Sequence, residues 1–276
     1  MVKDDSTASA ADRSHGVTYK VTDGVAVVEL CGSASGNALD AHLRGALLSA
    51  ARRLTTDTAR GVRAALLTAR GKHFCVGQDL QEHARLLADA PAKAFANIPN
   101  DYNPLVKELS ALTVPLIVAV EGACVGAGLG IALCADVRVA GEGARFATAF
   151  GGLGLASDSG VARALVRQLG RSRAGGLMLL GDRFSARDAE AWGLVHRVVP
   201  DGRAAAEGLA LARRLAGGPT AAYRAAKTLL RSASASTLAA ALEREAVVQR
   251  RLGATDDHHE AVRAFLARRA PVFRGH

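Results

Sequence analysis

One carboxylate, Asp158 in "SDSGVARAL" (157–165), stands alone between Glu142 and Asp182 in a stretch of glycine, alanine, leucine and arginine. Such an acid has two uses. Its oxygens can accept the unpaired N–H groups that open a helix, as Asp commonly does. Alternatively, desolvation by apolar neighbours such as Phe146, Phe150, Leu153, Leu155 and Ala156 raises its pKa and makes it a better proton acceptor. The residues alone leave both open. Two upstream stretches offer complementary chemistry: "FCVGQDL" (74–80) and "GACVGAGLG" (122–130). Glycine lets the chain turn sharply and expose main-chain N–H groups. Two N–H donors converging on one point make an oxyanion hole, suited to a thioester carbonyl that becomes an enolate. The same glycines would equally let a helix pack closely on a sheet. A dinucleotide fingerprint is excluded: Gly126, Gly128 and Gly130 run G-x-G-x-G, with Ile131 in the third glycine's place. The following strand, "VRVAG", also ends without an acid for a ribose hydroxyl.

The elements that must position these residues alternate. "VTDGVAVVEL" (21–30) reads as a strand entered from a turn at Asp23-Gly24. "NALDAHLRGALLSAARRL" (37–54) has helical apolar spacing, with Arg44, Arg52 and Arg53 elsewhere on the wheel. Strands are expected at 62–69, 114–122 and 137–141, a glycine-marked loop at 71–80, and helices at 126–136 and 160–170, the last ended by Gly170. Ser185 and Asp188 form a capping-box pattern for a helix at 185–194. Segments 203–216, 219–232, 235–252 and 256–269 are all helical in pattern. This predicts an α/β fold followed by an all-helical C-terminal region.

The chain has 276 residues, 49% of them hydrophobic, so a substantial core is available despite only 4% aromatics. The formal charge of +9 raises the question of nucleic acid, but the arginines are dispersed and lack interleaved aromatics, so no stacking platform forms. Cys31, Cys75, Cys124 and Cys134 show no CxxC pairing and read as buried thiols in a reducing compartment. The first sixteen residues are polar and lack the apolar core of a signal peptide, so they read as a disordered tail. Glu121, Asp136 and several glycines interrupt the apolar run around 114–140, which is therefore no membrane span.

From about residue 17 to the C-terminus, the motifs taken in order resemble the crotonase (enoyl-CoA hydratase/isomerase) superfamily. They are "GNALD", "FCVGQDL", "PLIVAVEGACVGAGLGIALCADVRVA", "ARFATAFGGLGLASDSG", "LMLLGDRFSARDAEAWGLVHRVV" and "AVRAFLARRAPVF". "FCVGQDL", "YNPLV", "GAGLG" and "GLGLASDSG" are most similar to the ring-1,2-epoxyphenylacetyl-CoA isomerase branch, which includes enoyl-CoA double-bond shifters. The resemblance implies a spiral of ββα units and assembly as a homotrimer or hexamer. It implies a tail at 1–16, an α/β core at 17–200, and a helical region at 201–276 serving oligomerisation and the CoA-site lid. One departure is the loop "CGSASGNALD", where relatives carry Asn-Arg-Pro beside the CoA site.

By that resemblance the oxyanion donors are the N–H groups of Gln78 and Ala127, and Asp158 is the catalytic acid of a "PDxG"-like turn. Cys75, Gly77, Asp79, Gly126, Gly128 and Gly130 would surround the thioester, with Asp79 also expected to cap the next helix. Phe150 and Tyr102 would line the acyl pocket, while Phe265 and Arg268 would help hold CoA. Active hydratases carry glutamates at the positions of Gly130 and Phe150, and both are missing here. The expected activity is therefore isomerisation of an acyl-CoA thioester, with Asp158 as proton shuttle and with no metal or cofactor besides substrate-borne coenzyme A. The alternatives are a hydratase or lyase with non-standard residues, or a non-catalytic acyl-CoA- or RNA-binding homologue. Fatty-acid metabolism or phenylacetate catabolism, a cytoplasmic location, and the absence of membrane or nucleic-acid partners complete the expectation. His73 and His83 are read as surface or capping residues, Asp136 as structural, and His258 and His259 as a solvated helix start. Arg268 and Arg269 are candidates for phosphate contact or for a solvated basic face.

Overall fold

The computed structural model describes residues 13–14, 16–233 and 236–276. Residues 1–12 and 15 of the expected tail lie outside the described residues; Arg13–Ser14 instead form strand β1, paired antiparallel with β2 (Val17–Thr22). Asp23 and Gly24 both have positive φ (50° and 74°) and turn the chain from β2 into β3 (Val25–Leu30). That is the backbone geometry of a tight hairpin: the strand expected after the Asp23-Gly24 turn is β3, and the residues before the turn belong to its antiparallel partner β2. Helix α1 (Ala41–Asp57) starts later than the periodicity suggests, because Asp40 caps it, accepting from the Leu43 N–H at 2.7 Å.

The chain continues through β4 (Ala64–Ala69), α2 (Leu80–Asp89), a π turn at Ile98–Tyr102, α3 (Asn103–Ala111), β5 (Leu116–Val120), β6 (Ala123–Val125) and α4 (Ala127–Leu133). Then come β7 (Val137–Gly141), β8 (Arg145–Ala147), α5 (Val161–Leu180), β9 (Phe184–Ser185), α6 (Ala186–Ala191) and β10 (Arg197–Val199). Gly170 (φ 77°, ψ 164°) breaks α5 where the sequence predicts its end, but a second helical segment follows at once. The Ser185–Asp188 capping box opens α6 as expected. Only helices follow: α7 (Ala204–Ala216), α8 (Thr220–Ala233), α9 (Leu238–Gly253) and α10 (Asp256–Leu266).

A seven-stranded sheet has the order β1-β2-β3-β4-β5-β7-β10, parallel from β3 onward; a small sheet has the order β6-β8-β9. The central parallel strands β4, β5 and β7 are buried on both faces, which is why they read as largely apolar runs. Leu66, Ile117, Ala119 and Val139 pack against α7, while Leu67, Val118, Val120 and Ala140 face the larger core with α1, α3 and α4. Gly208 lets α7 settle on the sheet: a Cβ there would stand 2.8 Å from Leu66 Cδ1.

The helical region is tied back to the core by polar links. Lys227 Nζ donates to the Val114 carbonyl at 2.6 Å and pairs with Asp136, whose Oδ2 also accepts the Leu116 N–H at 2.7 Å. Asp136 is structural, as expected: it fixes α8 to the start of β5. Lys227 is the buried member of the pair, its side chain 8% exposed against 34% for Asp136, so removing Asp136 leaves a buried ammonium without its counter-charge. Asp136→Ala should therefore lower stability by about 3 kcal/mol, seen as a reduced urea midpoint with an unchanged denaturant slope.

Candidate active site

The two glycine loops run side by side. Cys75 N–H donates to the Ala123 carbonyl at 3.1 Å, and Val125 N–H donates to the Cys75 carbonyl at 3.0 Å, making a parallel bridge between Cys75 and Cys124. The glycines permit this contact. A Cβ on Gly128 would fall 2.6 Å from the Cys75 carbonyl oxygen; one on Gly77 (φ +93°) would fall 3.0 Å from the Val125 carbonyl oxygen and 3.7 Å from the Ala127 nitrogen. His73 Nδ1 accepts the Ala123 N–H at 3.1 Å and braces the same junction. It is thus a loop tie and not a surface residue.

A second bridge orients Gln78. Leu39 N–H donates to the Gly77 carbonyl at 2.8 Å, and Asp79 N–H donates to the Leu39 carbonyl at 3.3 Å. In a strand-like segment alternate N–H groups point opposite ways, so the Gln78 N–H is turned away from Leu39. It has no hydrogen-bond partner among the described residues, and neither has the N–H of Ala127, the first residue of α4. The Gln78 side chain is held aside, its Nε2 3.1 Å from His83 Nδ1. His83 in turn meets the edge of Phe95 at 5.1 Å between centroids. Asp79 caps α2, accepting the Glu82 N–H at 2.8 Å.

Asp158 is not a helix cap. Gly160 (φ 72°) occupies the N-cap of α5, with no side-chain cap bond, and Val161 N–H donates to the Asp158 main-chain carbonyl at 3.0 Å. Among the described residues, the carboxylate receives only the Ser159 hydroxyl, at 2.8 Å. It is half-buried, and burial raises its pKa above the ordinary 3.8, opposed by the Ser159 hydrogen bond. Leu153 and Leu155, expected to shield it, are 54% and 39% exposed in this chain; Phe146 is buried and Phe150 partly so.

The turn carrying Asp158 lies directly on α4. A Cβ on Gly130 would meet Ser159 Cβ at 2.6 Å and the Ser159 carbonyl oxygen at 2.7 Å. The space that a glutamate at 130 would need is thus occupied by this turn. Gly126 (φ 55°) caps the start of α4. Tyr102, 1% exposed, belongs to the same buried core as Cys75 and Ala127; burial raises its phenol pKa and the neighbouring Arg44 charge opposes the rise. Burial alone pushes the Cys75 thiol up to about 12, so it stays protonated.

Other expected residues lie at α10 or just beyond it. Phe265, on the last turn of α10, is 81% exposed, and Arg268 lies just beyond that helix at φ 52°. Arg269 makes a two-pronged pair with Glu260, at 2.5 and 2.9 Å, and is not free for a phosphate. His258 and His259 lie in the first turn of α10, consistent with a helix start.

The sequence reading missed Arg44. It is 4% exposed, bound to Glu82 at 2.6 Å, Asp101 at 3.0 Å and the Leu39 carbonyl at 2.7 Å, and so ties α1 to both α2 and the π turn. Its position off the apolar stripe of α1 read as solvent-facing, because the acids that cover it come from other segments. The remodelled loop is similarly anchored: buried Asn37 (φ 56°) donates to the carbonyls of Arg70 and His73 at 3.1 and 2.7 Å.

The enoyl-CoA hydratase/isomerase family model matches residues 20–276. The chain belongs to this family. Its crotonase fold superposes on the crystal structure of an enoyl-CoA hydratase/isomerase-type protein from Mycobacterium abscessus with a TM-score of 0.92 at 50% identity. That alignment covers 94% of this chain and all of the other. The chain is also 41% identical to the 1,2-epoxyphenylacetyl-CoA isomerase of Escherichia coli K12, over 78% of this chain and 82% of the relative. It is 37% identical to the 2,3-dehydroadipyl-CoA hydratase of the same organism, over 88% and 92%. Among the described residues, no helix is long and apolar enough to cross a membrane.

The Asp158 environment has a stability consequence. A carboxylate whose folded pKa exceeds its unfolded value binds its proton more tightly in the native state, so its contribution falls as pH rises through that window. Asp158→Asn removes this burden. Its thermal midpoint should exceed that of the wild type at neutral pH, and the two should converge near about pH 4, where the unfolded carboxyl titrates.

Proposed function

We propose that this enoyl-CoA hydratase/isomerase family member is an acyl-CoA thioester isomerase. The observation that carries the reading is the contact between Gly130 and Ser159, which leaves no room for a hydratase glutamate at 130 and sets the turn carrying Asp158 against α4. The thioester oxygen accepts the N–H groups of Gln78 and Ala127, and C2, the carbon next to the carbonyl carbon, loses a proton to Asp158 as the enolate forms. Asp158 then returns that proton to another carbon, and the double bond moves; with an epoxide substrate the same groups assist ring expansion. The steps need no group beyond the coenzyme A carried by the substrate. The half-buried Asp158 is suited to this because its raised pKa strengthens it as a base. The hydratase-named relative makes hydration the second reading.

The exposed Leu238, Leu242 and Val247 of α9, a helix with no buried residue, support assembly as a homotrimer or a hexamer. The free thiols support a reducing, cytoplasmic setting.

The test is a panel of 3-enoyl-, 2-enoyl- and epoxyphenylacetyl-CoA thioesters, followed by ultraviolet absorbance and mass. Isomerisation should leave the mass unchanged, whereas hydration adds one water. Asp158→Asn should slow isomerisation by about 10²–10⁴-fold, and the wild-type kcat/KM should rise with pH along a limb centred above 3.8. Persistence of near wild-type isomerisation in Asp158→Asn overturns the assignment. Gln78→Ala, which keeps the N–H, should be mild; Gln78→Pro, which deletes it, should cost about 10²–10³-fold in kcat.

A further inference from the structure

Arg44 has no place in the steps above, yet it is buried beside the first glycine loop, its side chain 5% exposed. Nη1 donates to the Leu39 carbonyl at 2.7 Å and to Glu82 Oε2 at 2.6 Å, and Nε donates to Asp101 Oδ2 at 3.0 Å. A buried ion pair is a poor source of stability, because desolvation offsets the attraction between the charges. What this arrangement does fix is main chain. The Leu39 carbonyl accepts both Arg44 and the Asp79 N–H (3.3 Å), and the Leu39 N–H donates to the Gly77 carbonyl at 2.8 Å. Glu82 completes the clamp: its Oε1 accepts the Ala41 N–H at 2.9 Å, and its own N–H donates to Asp79 Oδ1 at 2.8 Å. Segments 39–44 and 77–82 are thereby stitched together on both sides of Gln78.

The stitching bears directly on the Gln78 N–H. The Gly77 carbonyl and the Gln78 N–H belong to one planar trans peptide group, in which they point in opposite directions. Holding that oxygen on Leu39 therefore aims the N–H away from Leu39. Gly77 lies against the second loop, where a Cβ on it would stand 3.7 Å from the Ala127 nitrogen, so the two donor amides start from neighbouring positions. Gly77 cannot keep this orientation unaided. Its φ of +93° and its approach to the Val125 carbonyl oxygen, 3.0 Å from a Cβ, call for glycine, and glycine leaves the adjoining peptide planes free to turn. The restraint has to come from outside the loop, and Leu39 with Arg44 behind it supplies one.

We propose that Arg44 is the positioning residue of the oxyanion hole: through the Leu39 main chain it holds the Gly77–Gln78 peptide so that the Gln78 N–H faces the thioester oxygen. This rests on the assignment of the Gln78 and Ala127 amides as the thioester donors. Arg44 itself touches neither substrate nor reacting atoms, and Glu82 and Asp101 balance its charge. Its contribution is geometric, since a donor fixed in advance needs no rearrangement as negative charge develops. The planar fork of a guanidinium suits the task, because it presents separate nitrogens to the carbonyl and to the second acid.

The test reads the thioester carbonyl and needs no turnover. Phenylacetyl-CoA, isotopically labelled at that carbonyl and without an acyl-chain double bond to shift, is bound to the full-length chain and followed by isotope-edited infrared difference spectroscopy. Hydrogen bonds to the oxygen lower the C=O stretching frequency, so the wild type should shift the band down from its position in free ligand. Arg44→Met, which keeps an unbranched stem and deletes every donor, should lose about half of that shift, because one of the two donors is no longer aimed. Asp101→Asn, which weakens the link to the π turn and leaves Nη1 on Leu39, should retain it. Should Arg44→Met fail to fold, Arg44→Met/Glu82→Gln/Asp101→Asn leaves no unpaired charge and is read in the same way. In turnover, Arg44→Met should lower kcat and kcat/KM in equal proportion, by up to about 10²-fold, the lower end of the loss from deleting one such donor. A full band shift in Arg44→Met or in the triple variant overturns the proposal and leaves the hole standing, as does an equal loss in Asp101→Asn. A wild-type band that does not move removes the oxyanion reading itself, and the proposal with it.

Discussion

The structure depends on one contact, the hydrogen-bonded apposition of two glycine loops between Cys75 and the segment Ala123–Val125. Each loop offers an N–H without a partner among the described residues, one at Gln78 and one at Ala127. Main-chain donors stabilise developing negative charge well only when they are fixed in advance and need not reorganise. Here the fixing comes from both sides. The Leu39 bridge sets the direction of the Gln78 amide, and α4 sets that of Ala127. The glycines at 77 and 128 are required by distance, since a Cβ at either would press on the backbone of the opposite loop.

A second constraint follows from the first. With α4 fixed against Cys75, its next turn presents Gly130, and the Ser159 backbone rests on it. The packing leaves no room for a side chain at position 130, because the turn that carries Asp158 already lies there. Asp158 then sits where burial works against its charge, and the Ser159 hydroxyl supports the ionised form. Perturbed groups in such places are where acid–base chemistry is found, at some cost to stability. Arg44 provides the matching rigidity across the site, holding α2 and the π turn through Glu82 and Asp101.

Much of this was legible beforehand, for reasons specific to each element. The central parallel strands declared themselves through largely apolar runs, and α6 through its capping box. The glycine loops and Asp158 stood out by composition, and the family resemblance gave them roles. The illegible parts are non-local. Whether Asp158 caps α5 depends on the backbone of Ser159 and Gly160, which both take positive φ and move the cap one residue past the carboxylate's reach. Arg44 reads as a surface residue of α1 because its acids lie 38 and 57 residues away. The hairpin at Asp23-Gly24 was hidden because the turn was read as an entrance to a strand and not as a reversal between two.

The most direct measurement is a crystal structure of the full-length chain with a non-reactive acyl-CoA. The account predicts the thioester oxygen at about 2.7–3.1 Å from the nitrogens of both Gln78 and Ala127. It also predicts an Asp158 oxygen within direct or single-water reach of the carbons flanking the shifted bond. A thioester bound away from those amides, or Asp158 oxygens turned to bulk solvent more than about 6 Å from those carbons, would contradict it.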